Sequence, residues 1–208
     1  MSELLEVEYS RRRERLLPAR VCLLVVDIQE RLVPAMPPTI VEQVIKNTQI
    51  LIGAMAQFGT PIVVSQQYPK GLGPTVAPIA EALAAAEAAG APVYRFDKVE
   101  FSAAAAPAFE TIPPAIKSGA LMEREQWLVC GMETHVCVYQ TVRDLVGPAC
   151  AVHVAADAVS SRTKANWKIG LDLVRETGAR VTSTETIVFD LLRQAGTDAF
   201  KALSRTIK

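Results

Sequence analysis

Trp127-Leu128-Val129-Cys130-Gly131-Met132-Glu133-Thr134-His135-Val136-Cys137-Val138-Tyr139-Gln140 decides how this chain folds. A short apolar run ends at Gly131, turns sharply, and delivers a cysteine into a segment that reads as helix. Strand, tight turn and reactive side chain in the first helical turn is how an α/β protein presents a nucleophile. With Thr134 read as N-cap, Cys137 falls at the third helical position. Unpaired backbone N–H groups and the positive helix end there are expected to favour a thiolate. The plain alternative is a small buried residue, the usual fate of a free cysteine.

Working outward, the same strand-then-helix rhythm repeats. Val21 to Val26 is a continuous apolar run with β-branched residues, as in a strand buried on both faces. A helical pattern opens at Pro37-Pro38 and closes at Gly59. Pro61 to Ser65 reads as a second strand, followed by a Gly/Pro-rich loop from Gln66 to Pro74. Pro78–Ala89 is helix-prone, and Val93–Phe96 is a third strand delivering Asp97 and Lys98. Residues 102–118 carry two short helical stretches broken by Pro107, Pro113 and Pro114. Strand four spans 126–130, and a helix over 134–146 is closed by Gly147-Pro148. Strand five is Cys150–Ala155, followed by Asp157 and the polar Ser160-Ser161-Arg162. A helix at 164–177, a short strand at Ala179–Thr182, a helix at 184–194 and a short C-terminal helix complete the pattern.

Alternating strands and helices predict a three-layer αβα architecture around a mostly parallel sheet. Ligands of such sheets bind beyond the carboxyl ends of the strands. Asp27 after strand one, Lys98 after strand three and Cys137 after strand four all arrive at that edge. Together they are an acid, a cation and a nucleophile. Asp27 can accept the thiol proton and return it to a leaving amine. Lys98, paired with Asp27, would hold it in place and favour the charged form of Cys137. The Cys137 backbone N–H is a candidate oxyanion donor.

Composition narrows the partners. Of 208 residues, half are hydrophobic and 21% charged, with formal net charge zero. That balance gives no electrostatic reason to expect nucleic acid or an anionic membrane. The Arg11-Arg12-Arg13-Glu14-Arg15 run is short and reads as part of a solvated N-terminal arm over residues 1–19. Cys22, Cys130, Cys137 and Cys150 form no C-x-x-C pair, so a reducing, cytoplasmic setting is expected. No apolar run reaches the roughly 20 residues of a membrane span, and the N-terminus shows no apolar signal-peptide core. The only histidines, His135 and His153, lie on different elements without partners at ligand spacing, so no metal is expected. His135 is two residues from Cys137 and cannot share its helical face; a papain-like Cys/His pair remains the alternative. Nucleotide loops and the G-x-S-x-G elbow are absent.

Three segments in order, Val25-Val26-Asp27-Ile28-Gln29, Asp97-Lys98 with Phe101-Ser102, and Gly131-Met132-Glu133-Thr134-His135-Val136-Cys137-Val138, resemble the isochorismatase-like cysteine hydrolases. The likeness spans roughly residues 20–195. Gln67 to Thr75 and Asp157 to Arg162 look like the isochorismatase-domain-containing subgroup. The resemblance implies a single isochorismatase-like domain over residues 1–208, with a six-stranded parallel sheet in the order 3-2-1-4-5-6. It implies a triad of Asp27, Lys98 and Cys137. It also implies an oxyanion hole from the backbone N–H groups of Glu133 and Cys137, with a cis peptide at Met132-Glu133. Tyr68, Phe101 and His135 are expected to shape the substrate pocket.

Metal-binding members of the family carry Asp-x-His after strand two. Gln66 and Tyr68 stand there in this chain, and neither is a good zinc ligand; no cofactor is expected. True isochorismatases lack the cysteine, so Cys137 argues for an amide or related acyl substrate rather than a vinyl ether. The expected protein is a homo-oligomeric hydrolase of small amide or carbamoyl compounds. The alternative from another class is a catalytically silent binding or scaffold protein that keeps the fold and the site.

Overall fold

Every position of Val21–Val26 is buried, which requires cover on both faces of the strand. In the computed structural model, which describes residues 15–112, 125–147 and 150–207, that cover is two layers of helices. The elements run β1 (Val21–Val26), α1 (Pro38–Phe58), β2 (Ile62–Gln67), α2 (Pro69–Leu72), α3 (Ala77–Ala88), β3 (Val93–Lys98), α4 (Pro107–Glu110) and β4 (Gln126–Met132). A π-helical turn, Thr134–Val138, leads into α5 (Tyr139–Leu145). Then follow β5 (Ala151–Ser160), α6 (Lys164–Glu176), β6 (Arg180–Thr182), α7 (Thr184–Leu192) and α8 (Asp198–Leu203). All neighbouring strands pair in parallel, in the order β3-β2-β1-β4-β5-β6. Fold class and strand order are those expected from the sequence.

The strand period of two divides the core. Leu23, Val25, Ile62, Val64, Leu128 and Cys130 pack with α1, α3 and α7 on one face. Cys22, Leu24, Val26, Val63, Trp127 and Val129 pack with Phe109, Val142, Leu171 and Val174 on the other. Both clusters are almost wholly apolar, so the ionisable groups gather where the strands end.

Three boundaries differ from expectation. β2 runs on to Gln67, because Gln66 and Gln67 continue the pairing with Asp97 and Lys98 of β3. Lys98 is therefore the last residue of a strand. β5 continues to Ser160 through a register shift opposite Val129–Gly131, so that Val159 and Ser160 follow β4 to its end. Asp157, expected after the end of strand five, sits in that irregularity, its Oδ1 accepting from the N–H and Oγ1 of Thr184 at 2.8 and 3.0 Å. Residues 1–14 of the expected arm, Pro113 and Pro114 of the expected helical stretches, and Pro148 lie outside the described residues.

Candidate active site

Register brings the site together before any side chain is considered. Val26 of β1 pairs with Ser65 of β2 and Gly131 of β4, which sets Asp27 beside both strand ends. Gly131 has φ +123°, and a Cβ there would run into the Val26 backbone carbonyl. Only glycine fits that close approach. Asp27 has φ +51°, in the left-handed region that Asp tolerates better than most residues.

Asp27 and Lys98 form a fully buried ion pair, Nζ to Oδ2 at 2.7 Å. The other carboxylate oxygen accepts from Ser65 Oγ at 2.7 Å. The Lys98 ammonium also donates to Gln67 Oε1 at 2.7 Å and to the carbonyls of Glu100 and Phe101 at 3.1 and 3.2 Å. A buried charge is tolerable when paired and hydrogen-bonded, and both partners meet that condition. Gln67 is held in turn by Gln29, which accepts from its N–H at 2.7 Å and donates to its carbonyl at 3.0 Å. Gln29 also donates to the Gly73 carbonyl at 2.7 Å, fixing the loop that carries Tyr68.

Cys137 is buried at 6% exposure, beside this pair. Its thiol is pushed up to about 12, first by burial and next by the negative charge of Asp27, against which Lys98 acts in the opposite direction. The sequence-based expectation of a resting thiolate is therefore corrected: loss of solvation and the adjacent carboxylate outweigh the helix end and Lys98. The Asp27 carboxylate is within hydrogen-bonding reach of the thiol.

The expected cap is also corrected. Glu133 is the N-cap and makes no side-chain capping bond, while the Thr134 hydroxyl is buried without a partner. The Met132–Glu133 peptide is cis. The Glu133 carbonyl accepts from Val136 and Val138 at 3.0 and 3.1 Å, skipping the Cys137 N–H between them. That skip is the hydrogen-bond signature of a π turn, a form that recurs at functional sites. Two contacts hold the turn from outside. Arg162 grips the Glu133 carboxylate through its backbone N–H, Nε and a guanidinium N–H at 3.0, 3.1 and 3.0 Å. Gly170 of α6 lies so close that a Cβ would sit 2.7 Å from His135 N.

Of the expected site residues, Asp27, Lys98, Cys137 and Glu133 converge. Tyr68 is 53% exposed, its N–H bonded to the Lys98 carbonyl at 2.8 Å. Phe101 is 55% exposed and touches the pair through its own carbonyl. Both side chains are thus largely exposed while their main chain touches Lys98. His135 is held by Ser161, Nδ1 to Oγ at 3.0 Å. His153 is buried in β5, its imidazole pushed down to about 4 by burial and the nearby Arg180 charge.

Sequence reading passed over Ser65, Gln67, Gln29 and the Glu133–Arg162 pair. Ser65 and Gln29 did carry a signal: each is polar at the end of, or just beyond, an apolar strand. Among the described residues no group of three or more His, Cys, Asp or Glu is placed to hold a metal ion. Gln66 bonds to Thr75 and Asp97. No helix among the described residues is long and apolar enough to cross a membrane.

A parallel sheet in this order, covered by helices on both faces, is the fold shared with a solved isochorismatase-like hydrolase. The chain belongs to the isochorismatase family: the family model described as Isochorismatase domain matches residues 21–186. The chain is 37% identical to the secreted isochorismatase effector Isc1 of Phytophthora sojae, over 96% of this chain and 90% of that protein. It is 34% identical to isochorismatase domain-containing protein 1 of Danio rerio, over 92% of this chain but only 62% of that longer relative. A solved structure titled MAR1 ribonuclease from Caenorhabditis elegans superposes with a TM-score of 0.79 at 31% identity, covering 93% of this chain and 92% of that one.

Proposed function

We propose that this protein hydrolyses a small amide or carbamoyl C–N bond through an acyl-enzyme on Cys137. The observation that carries this reading is the buried Asp27–Lys98 ion pair beside the buried Cys137, whose thiol is pushed up by burial and by the Asp27 charge. A nucleophile in that state needs a base at hand, and Asp27 is the base.

The sulfur attacks the carbonyl carbon, its proton passes to Asp27, and the carbonyl electron pair moves to oxygen. The N–H groups of Glu133 and Cys137 are the proposed donors to that oxyanion. Collapse breaks the C–N bond as Asp27 gives the proton to the departing nitrogen. Water then attacks the thioester, its proton goes to Asp27, and breaking the C–S bond returns that proton to sulfur. Lys98 does not exchange protons; its four acceptors fix it, and through it the carboxylate.

The substrate class follows from charge. Asp27 and Lys98 cancel and the thiol is neutral, so a charged acyl group would enter a buried site without a counter-ion. The exposed Tyr68 and Phe101 favour a neutral, partly apolar acyl group. A thiol nucleophile also works only while reduced, which fits a cytoplasmic setting.

The test is ammonia release across a panel of neutral amides, with intact-mass detection of the acyl adduct. Turnover with an adduct on Cys137, lost in Cys137→Ala, is the expected result. An unchanged rate in Cys137→Ala would sink the proposal. Silence across the panel, with Cys137 inert to electrophiles, would favour the non-catalytic binding protein. Isochorismate, suggested by the name of the Phytophthora relative, belongs in the same panel; its cleavage without Cys137 would replace the acyl-enzyme route.

A further inference from the structure

A cavity of about 640 Å³ lies between the N-terminal turns of α1 and α6 and the end of β5. None of Asp27, Lys98 or Cys137 lines it. Its volume falls within the roughly 300–1,000 Å³ typical of small-molecule sites. Ile40 and Val44 of α1 form one wall, and Val159 and Trp167 form another. The Trp167 ring is fixed, its Nε1 donating to the Ala156 carbonyl at 3.2 Å. Ile40 is a large apolar side chain left 41% exposed at this opening.

The polar groups of the lining are Gln43, Asp157, Ser160, Ser161 and Lys164. Lys164 is exposed and makes no ion pair among the described residues, so its ammonium is available to a ligand. Asp157, the acidic side chain in the lining, directs Oδ1 to the N-terminus of α7, where Thr184 N–H and Oγ1 satisfy it. Lys164 is the lining charge left without a hydrogen-bonded or ionic partner among the described residues, over an aromatic and aliphatic floor.

We propose that this cavity is a second small-molecule site, taking a compact apolar monocarboxylate whose body lies on Ile40, Val44 and Trp167 and whose charge meets Lys164. It adjoins the candidate active site through one contact. Ser161 lines the cavity and holds His135 of the π turn at 3.0 Å. Occupancy there would bear on the turn that positions Cys137.

Titration of the full chain with 2-naphthoate tests this, read by Trp167 fluorescence and calorimetry. Saturable one-to-one binding is expected, equally in Cys137→Ala, so the result stands apart from any amidase activity. Trp167→Phe should remove the fluorescence change, since Trp127 is fully buried and does not line the cavity. Lys164→Gln should weaken 2-naphthoate about fivefold and leave the neutral 2-naphthalenemethanol unaffected, as for a partly exposed ion pair. Val44→Phe, which projects into the cavity, should weaken both ligands more than tenfold.

Non-saturating binding, or equal affinity for both ligands in wild type and Lys164→Gln, would overturn the proposal. So would an oligomer that Ile40→Lys splits and 2-naphthoate dissociates, which would assign the cavity to a second copy of the chain.

Discussion

Cys130 and Cys137 lie on either side of one turn, and burial pushes both thiols up to about 12. By acidity alone they are the same residue. Their neighbours differ. Cys130 sits inside β4, its sulfur facing the Leu24 carbonyl and the Thr48 hydroxyl, with no base in reach. Cys137 meets a carboxylate that Ser65 and Lys98 hold in place. What separates a structural thiol from a candidate nucleophile here is a place for the proton to go. A low resting pKa is not needed.

The sharpest way to break that comparison is to remove each sulfur in turn. Cys137→Ala should lower amide turnover by about 10⁴-fold or more, as loss of a nucleophile does in other covalent hydrolases. Asp27→Asn comes next, with a loss of about 10³-fold expected for a missing general base. It should also move the pH profile of Cys137 alkylation by iodoacetamide to lower pH. The Asp27 charge raises the thiol, so removing it makes the thiolate easier to form even as turnover fails. An alkylation profile that stayed put would show that the carboxylate does not act on the sulfur.

His153 applies the same physics to a base. Burial holds its folded-state value near 4, below the ordinary 6.5. The neutral form is the one the fold accepts, so stability is fully present above pH 6.5 and is lost as pH falls towards 4. The loss amounts to up to about 3 kcal/mol, and His153→Gln should flatten that limb in urea titrations. Smallest is Cys130→Ala: about 1–2 kcal/mol of stability by chemical denaturation, with turnover within twofold of wild type.

The fold was legible because strands such as Val21–Val26 are apolar throughout and alternate with helices at βαβ spacing. The three ionisable groups were legible because each stands where an apolar strand gives out. What the sequence hid is relational. Ser65 and Gln67 matter only through the register that sets β2 against β1 and β3, and a linear reading does not supply register. The π turn was hidden as well, because Thr134 resembles a capping residue while the chain uses Glu133. The raised thiol could not be read from Lys98 and a helix end without knowing how completely Cys137 is buried.

Lys98 lies on β3, which is an edge of the sheet, whereas Asp27 and Cys137 are carried by the central strand and the turn beside it. Edge strands have one neighbour and open at lower free energy than the core. The cation of the candidate site is thus attached to the least secured of the strands that build it. Mild denaturant would peel β3 and silence the site while the rest of the sheet stays intact. Activity would then be a more sensitive gauge of this protein's condition than any signal from its secondary structure.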